Sequence, residues 1–523
     1  QISKPLKDVS CKTKSQTFEA AVRYRFVIAM AISLLIIVFG LPLMIKSDGT
    51  AKGMVQLVLT YTLGATTALL GISSLWMGCG TLAREIEDNV IQMVAVKPIA
   101  RWQIWFGKWM GIMLLNAALL VPTGLTIYFL IESRSRSEEL SQSEQDKLRN
   151  EVLVSRSEVN LPELDLTLNR SRAYNYCKLV LMGKSQYTPS EQALRMSVTN
   201  PEHILSLRGQ DYVSLVEQAQ KNPQLIKDVE ELEHQAIQMY KGTTEVILPG
   251  QNYQWVFQID TNKIDEINKR PIYLRYKFNA GDEYDPKSHL CTWTVGAGTG
   301  KHWPANEQPK QIKVGSSVFH ELELNLEGGI VPNQEGPNHG RVVVNFFNLN
   351  EKPIIFLNKD GPSILYHDGG FGLNLFRGLL IIYFWLGLIA AIGLMASSFL
   401  AFPVAAFMSI GILLISASTG TLEQIVEEKG ISGIDHETGR KLAPSALDDI
   451  AIVMAESILW VTNSVWDYSP VDNLSSGRTI TWTSLFWAFI GIILFMSGLI
   501  SAFGSLMFTR KELALPNPTA SMN

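Results

Sequence analysis

Arg84-Glu85-Ile86-Glu87-Asp88-Asn89, followed by Lys97-Pro98-Ile99-Ala100-Arg101-Trp102 and closed by Gly107-Lys108, is a charged segment set between two apolar stretches. Met54–Gly80 lies before it and Trp109–Ile131 after it. Each is long enough to cross a bilayer, which takes about 20 apolar residues as a helix. Four more windows meet the same test: Val27–Ile45, Gly378–Ser397, Leu400–Ala417 and Ser484–Phe508. The fourth and fifth windows form one apolar run, which we divide at Ser397-Ser398-Phe399 and Pro403. A single helix of that length would far exceed the hydrocarbon core, whereas two spans joined by a tight turn fit it, and helices break or bend at proline.

Charge orients these spans, because Lys and Arg collect on the cytoplasmic side. Lys4, Lys7, Lys12, Lys14, Arg23 and Arg25 precede the first span against only Asp8 and Glu19, and Arg510-Lys511 follows the last. Both termini are therefore expected in the cytoplasm, which requires an even number of spans. Between the fifth and sixth, acids from Glu423 to Asp472 far outnumber Lys429, Arg440, Lys441 and Arg478, so this loop (418–480) reads as external. Merging the fourth and fifth spans would put it inside, so the count is six. The same count places 81–108 in the cytoplasm and 132–374 outside. A loop that long obeys no charge rule. The expected fold is an α-helical polytopic membrane protein of six transmembrane helices with an α+β extracytoplasmic domain. The chain then divides into 1–131, 132–242, 243–374 and 375–523.

Composition agrees. Of 523 residues 18% are charged, and the mean hydropathy is +0.12; soluble globular chains carry about a quarter charged residues. A net charge of -4 leaves no basic excess to neutralise phosphates, so no nucleic-acid partner is expected. Cys11, Cys79, Cys177 and Cys291 form no CxxC and no zinc spacing. Cys177 and Cys291 can pair if their segment faces an oxidising compartment, or remain buried thiols. The sequence starts at Gln1, so it is expected to lack at least an initiator methionine, and no signal-peptide pattern is visible.

The insert changes period part-way. Ser137–Val154 is polar and charge-laced, as in a solvated stalk continuing the third span. Pro201–Asn222 and Pro223–Tyr240 open with proline and carry apolar residues at helical spacing, with Leu225, Val229, Leu232, Ala236 and Met239 on one face. From about residue 243 the period is two: Val246–Leu248, Trp255–Ile259, Ile272–Phe278, the alternating Leu322, Leu324 and Leu326, then Val342–Phe347 and Ile354–Leu357. Pro249-Gly250, Asn279-Ala280-Gly281, Glu327-Gly328-Gly329 and Asp360-Gly361-Pro362 punctuate them, which predicts a β-sandwich. It could bind a sugar, peptide or neighbouring protein, or serve as a structural cap. Arg377 stands at the mouth of the fourth span, a snorkelling position. Ser445 with Asp448 can cap a helix whose Leu447, Ile450, Met454, Ile458, Val461 and Val465 form one stripe, an interfacial or re-entrant element. Trp460, Trp466 and Trp482 suit headgroup depth.

Chemistry-bearing patterns are sparse. Gly296-Ala297-Gly298-Thr299-Gly300-Lys301-His302 lacks the first glycine of a phosphate loop, which is Val295, and the Ser or Thr after its lysine. A β-turn loop explains it, so the chain is not expected to hydrolyse ATP. The eight histidines form no HExxH pair; His320-Glu321, His367-Asp368 and Asp435-His436 are the His–carboxylate neighbours, the last two in turn-like contexts. No GxSxG occurs, and neither a catalytic nor a metal site is expected. The six windows hold no charged residue, whereas ion-coupled transporters keep ionisable groups in the membrane. Any transport would then draw on an energy source outside this chain.

The wording of 84–108 resembles the coupling-helix loop of permease subunits in the ABC-2 type ABC transporter family. That loop reads Arg-Glu, an acid, Gly-Thr, an apolar helix, then Pro-x-x-Arg-Trp and Gly-Lys. Physically, Arg84–Val96 can form a short helix with acids in its first turn, where the macrodipole favours them, ended by Lys97-Pro98. Here Asn89-Val90 replaces the usual Gly-Thr. The six-span layout, the re-entrant-like loop and the exit Phe508-Thr509-Arg510-Lys511-Glu512 are similar to the family too, although the large insert is atypical of its smallest members.

The resemblance implies an exporter subunit of a bacterial plasma (inner) membrane. Two copies of a separate ATPase subunit, which holds ATP and Mg, would drive it beside a second permease subunit, alike or different. It assigns Arg84, Glu85, Glu87, Asp88, Lys97, Pro98, Arg101, Trp102 and Lys108 to the ATPase interface, without catalytic roles. One alternative is an ATPase-driven subunit that relays mechanical work to an envelope protein or glycan held by the outer domain. Another is an ATPase-free scaffold or receptor.

Overall fold

The protein's computed structural model describes residues 26–44, 51–88, 90–91, 100–135, 141–142, 145, 148–161, 245–260, 264–280, 288–296, 302–304, 309–324, 339–357, 360–427, 446–466 and 468–510. It divides into two compact units, residues 1–156 with 368–523, and 157–367. The expected helices over Pro201–Asn222 and Pro223–Tyr240, the terminal arms, Cys177, Lys97 and Pro98 lie outside the described residues.

The first unit is a helical bundle. Its helices are α1 (Phe26–Met44), α2 (Ala51–Glu87), α3 (Arg101–Ser135), α4 (Phe371–Ser397), α5 (Phe402–Ala417), α6 (Thr419–Glu427), α7 (Ala446–Trp466), α8 (Pro470–Ser475) and α9 (Trp482–Arg510). Residues Phe489–Ser497 of α9 wind as π-helix. Among the described residues four helices, α2, α3, α4 and α9, are long and apolar enough to cross a membrane. The apolar stretch of α1 and the whole of α5 are shorter. The divide in the long apolar run falls where expected: α4 ends at Ser397, and Pro403 sits in the first turn of α5. That late start leaves α5 with 16 residues, a rise of about 24 Å against a hydrocarbon core of about 30 Å.

Two helices overrun their apolar windows, which corrects the reading of the charged segment. α2 does not stop at Gly80. Leu82 and Ala83 are buried, so packing carries the helix on to Glu87. Arg84, Glu85 and Glu87 therefore occupy the last turn of a long helix, not the first turn of a short one. α3 starts at Arg101, eight residues ahead of the expected Trp109, so Lys108 is helical. The polar run after α3 is not a solvated stalk throughout: Leu148 and Val152 are buried in the bundle core, and a strand begins at Val154.

The seam of the bundle is the crossing of α2 and α4. A Cβ on Gly78 would lie 2.9 Å from the Ala390 carbonyl oxygen, and one on Gly393 2.8 Å from that of Leu75. Only glycine lets two backbones approach this closely, the device by which membrane helices gain van der Waals contact without a hydrophobic driving force. Ser397 Oγ donates to the Gly78 carbonyl (3.2 Å). α7 packs on the bundle through Ala455, Leu459 and Thr462, which are buried, and leaves Ile450 and Met454 of the expected apolar stripe exposed, together with Val453.

The second unit is built of β-sheet. One sheet runs β1 (Val154–Val159), β12 (Ser363–Gly370), β4 (Ile272–Tyr276), β9 (His320–Leu324). A second runs β3 (Asn252–Asp260), β10 (His339–Asn348), β6 (His289–Gly296), β7 (His302–Trp303), with β8 (Lys310–Val314) also on β6. A small third joins β2 (Val246–Ile247), β11 (Ile354–Ile355) and β5 (Asn279–Ala280). Period two decides what is inside: Trp255, Phe257 and Ile259 of β3 and Val342, Val344 and Phe346 of β10 share one core with Ile272, Leu274 and Tyr276 of β4. At its centre Trp293 meets Tyr276 (ring centroids 4.6 Å apart) and Phe346 (4.8 Å). His367-Asp368 lies within β12, not in a turn. The glycine-rich stretch connects two paired strands, Gly296 of β6 opposite His302 of β7.

Candidate functional site

Most of the candidate residues that can be placed gather at one end of the bundle, where α2 ends and α3 begins. Lys108, 4% exposed, points into the bundle. Its Nζ meets Glu85 Oε1 at 2.6 Å and donates to the Thr81 carbonyl at 3.4 Å. Two carboxylates in the last turn of α2 oppose its macrodipole, and each is offset by a partner. Glu85 has Lys108. Glu87 Oε1 accepts from the backbone N–H of Phe402 (3.0 Å), the first residue of α5, so it caps that helix where negative charge is favoured. The preference for acids at a helix N-terminus therefore operates on a helix more than 300 residues away in sequence.

Arg84 lies over the Phe402 ring at 4.6 Å, and Trp76 meets that ring edge-on at 5.0 Å. Arg101 performs the converse capping. Its Nη1 donates to the carbonyls of Phe508 and Thr509, both at 2.8 Å, at the C-terminus of α9. Trp109 Nε1 donates to the Gly387 carbonyl of α4 (2.9 Å). Underneath, Leu82, Ile91, Ile104, Trp105, Leu394 and Phe508 form one apolar cluster. The end of α2 and the start of α3 are thus wired to α4, α5 and α9. Asp88, Arg84 and Trp102 (56% exposed) face outward. Lys108 is buried beneath them, and its ammonium reaches the partly exposed Glu85.

A second polar cluster in the same unit was not foreseen. Asn374, 1% exposed near the start of α4, donates through Nδ2 to the Arg478 carbonyl (2.7 Å) and accepts through Oδ1 from the Ile480 N–H (2.8 Å). Arg377 is held by two contacts: Nη1 donates to the Ile480 carbonyl (2.9 Å), and the guanidinium stacks on Trp482 at 4.5 Å. Arg156 N–H donates to the Gly477 carbonyl, and Thr479 N–H to the Arg156 carbonyl, both at 2.8 Å. Gly477 has φ +69°, and a Cβ there would lie 2.6 Å from the Glu151 carbonyl oxygen. The segment leading into α9 is therefore locked to the residues where the chain leaves the first unit and returns to it.

In the second unit, Cys291 is a free buried thiol, pushed up to about 12 by burial. Tyr276, beside Trp293, is also raised, by burial first and then by the neighbouring Cys291. Among the described residues, no three His, Cys, Asp or Glu side chains gather as metal ligands would. No family model, curated protein or solved structure matches this chain.

Proposed function

We propose that this chain is the membrane-spanning permease subunit of an ATP-driven transporter of the ABC-2 type. In this reading six helices cross the membrane, both termini are cytoplasmic, and the second unit lies outside the cell. A separate ATPase subunit, present twice, docks on the turn between α2 and α3, and a second permease subunit completes the assembly. The observation that carries the reading is the wiring of that turn. A surface of Arg84, Asp88 and Trp102 is exposed, while Glu85 and Lys108 tie α2 to α3 beneath it, Glu87 ties it to α5 and Arg101 ties it to α9. A push applied there would reach α5 through Glu87 and α9 through Arg101. A hairpin that only joins two spans would need no such connections.

The test is gentle solubilisation from the native membrane, with mass spectrometry of what co-purifies. A stoichiometric subunit carrying a Walker A motif is expected. It should be lost on Asp88→Lys with Trp102→Ala, while the bundle stays folded. Reproducible absence of an ATPase from the wild-type preparation would overturn the reading. Glu85 and Glu87 are poorer targets than the outward residues, because both support the bundle itself.

A further inference from the structure

The first unit carries a groove that neither the charged turn nor the polar cluster uses. It lies between α3 and α4 and has a volume of about 480 Å³. Its walls include Val121, Gly124 and Tyr128 of α3 and Phe376, Leu379 and Tyr383 of α4. The lining contains no charged residue, and its polar side-chain atoms are the two tyrosine hydroxyls. Glycines bring the helices together beneath it: a Cβ on Gly124 would lie 2.3 Å from Leu379 Cδ1, and one on Gly372 3.2 Å from Tyr128 Cε2. The groove opens sideways, onto the apolar surface where Val121, Leu125 and Phe376 are each more than half exposed.

Dimensions choose the occupant. On α3 the lining runs from Ala117 to Tyr128, and on α4 from Gly372 to Tyr383. At 1.5 Å per residue each wall is about 17 Å long. One leaflet of hydrocarbon is about 15 Å deep, half the core thickness. Ala117 stands about 24 Å along α3 from Arg101, so the groove occupies the half of the span away from the charged turn. At its far end Tyr128 stacks on Phe371 (6.3 Å, 10° between planes), and aromatic residues favour the level of the headgroups. A membrane-crossing helix of a second copy would be about 30 Å long and would run well beyond a groove of about 17 Å. The volume instead falls within the range of small-ligand sites, about 300–1,000 Å³.

We propose that this groove holds one acyl chain of a bilayer phospholipid, seated along α3 and α4 in the leaflet distant from the charged turn. The chain fills the groove lengthwise, and its ester end lies level with Tyr128. This proposal rests on the membrane-spanning character of α3 and α4 and not on the ATPase reading.

The experiment reconstitutes the full chain in vesicles of phosphatidylethanolamine and phosphatidylglycerol. A trace of phospholipid bearing a diazirine on one acyl chain is added, and the labelled residues are mapped after irradiation. Label at 117–128 and 372–383 is expected to exceed that on the comparably or more exposed Val404, Phe407 and Leu414 of α5 by about fivefold. Val121→Trp and Leu125→Trp, which fill the groove from its open rim, should remove that excess and leave the α5 label unchanged. Cys79, fully buried in the bundle, reports folding by staying inert to maleimide. If a variant exposes Cys79, the wild-type labelling pattern alone decides. Label that follows exposure evenly over α3, α4 and α5 would mean annular lipid only and overturn the proposal. So would a groove shielded from label while Leu125→Cys forms a disulfide between two copies.

Discussion

Removing one side of the Glu85–Lys108 pair should destabilise the bundle far more than removing the other. The side chain of Lys108 is 5% exposed and that of Glu85 38%, with 2.6 Å between charges. At an effective dielectric of 20 the gross attraction at this distance is roughly 6 kcal/mol, an upper figure from which desolvation of the ammonium must be subtracted. Glu85→Ala leaves the ammonium buried with only the Thr81 carbonyl at 3.4 Å, and breaking a buried pair this way costs about 3 kcal/mol. Lys108→Met leaves a carboxylate that water already reaches, so the loss should be about 1 kcal/mol, as at exposed pairs. The double variant should return to within about 1 kcal/mol of wild type, since it strands no charge. The assay is maleimide labelling of the buried Cys79 during denaturation, with Cys11, Cys177 and Cys291 replaced by alanine. Strictly additive losses, or Lys108→Met as damaging as Glu85→Ala, would refute the argument that Glu85 is what keeps a charged lysine inside the bundle.

Other substitutions test the remaining contacts. Gly393→Ala places a methyl 2.8 Å from the Leu75 carbonyl, so the α2–α4 seam should open at a cost of about 1–3 kcal/mol, read as a lower Cys79 labelling midpoint. Asn374→Ala strands the Arg478 carbonyl and the Ile480 N–H. A loss of about 2–4 kcal/mol is expected by the same assay, and an unchanged midpoint would mean these groups find other partners. In the second unit, the Cys291 thiol titrates near 12 when folded and near 8.5 when unfolded. A raised folded value means this contribution is intact below about pH 8.5 and is lost as pH rises toward 12. The denaturation midpoint of that unit should fall across this window, and Cys291→Ala should flatten part of the fall.

Hydropathy made the long spans legible, because nothing but a membrane asks for such runs. Period two exposed β3, β4, β9 and β10. It missed β6, the strand that pairs with three others, because its glycine-rich exit drew the reading toward a loop. β1 and β12 were missed because Arg156, His367 and Asp368 break the alternation of apolar residues. Helix ends failed for a related reason. Apolar windows close at Gly80, but Thr81–Glu87 suits a helix and is held by tertiary partners that no local pattern announces. Glu87 finds its role only through Phe402, and Asn374 only through Arg478 and Ile480. A lone Asn or Glu beside a span is too common to single out.

The glycine seam between α2 and α4 also bears on how this chain is made. Its two sides, Gly78 and Ser397, are 319 residues apart. At about 5–20 residues per second a ribosome needs roughly 15–65 s to travel that distance. For all of that time the seam face of α2 around Gly78 lacks its intended neighbour, because α4 is not yet synthesised. The whole second unit has to be translated before α4 arrives. A nascent chain of this design must be shielded from other helices, or from a second nascent copy, that could occupy the seam first.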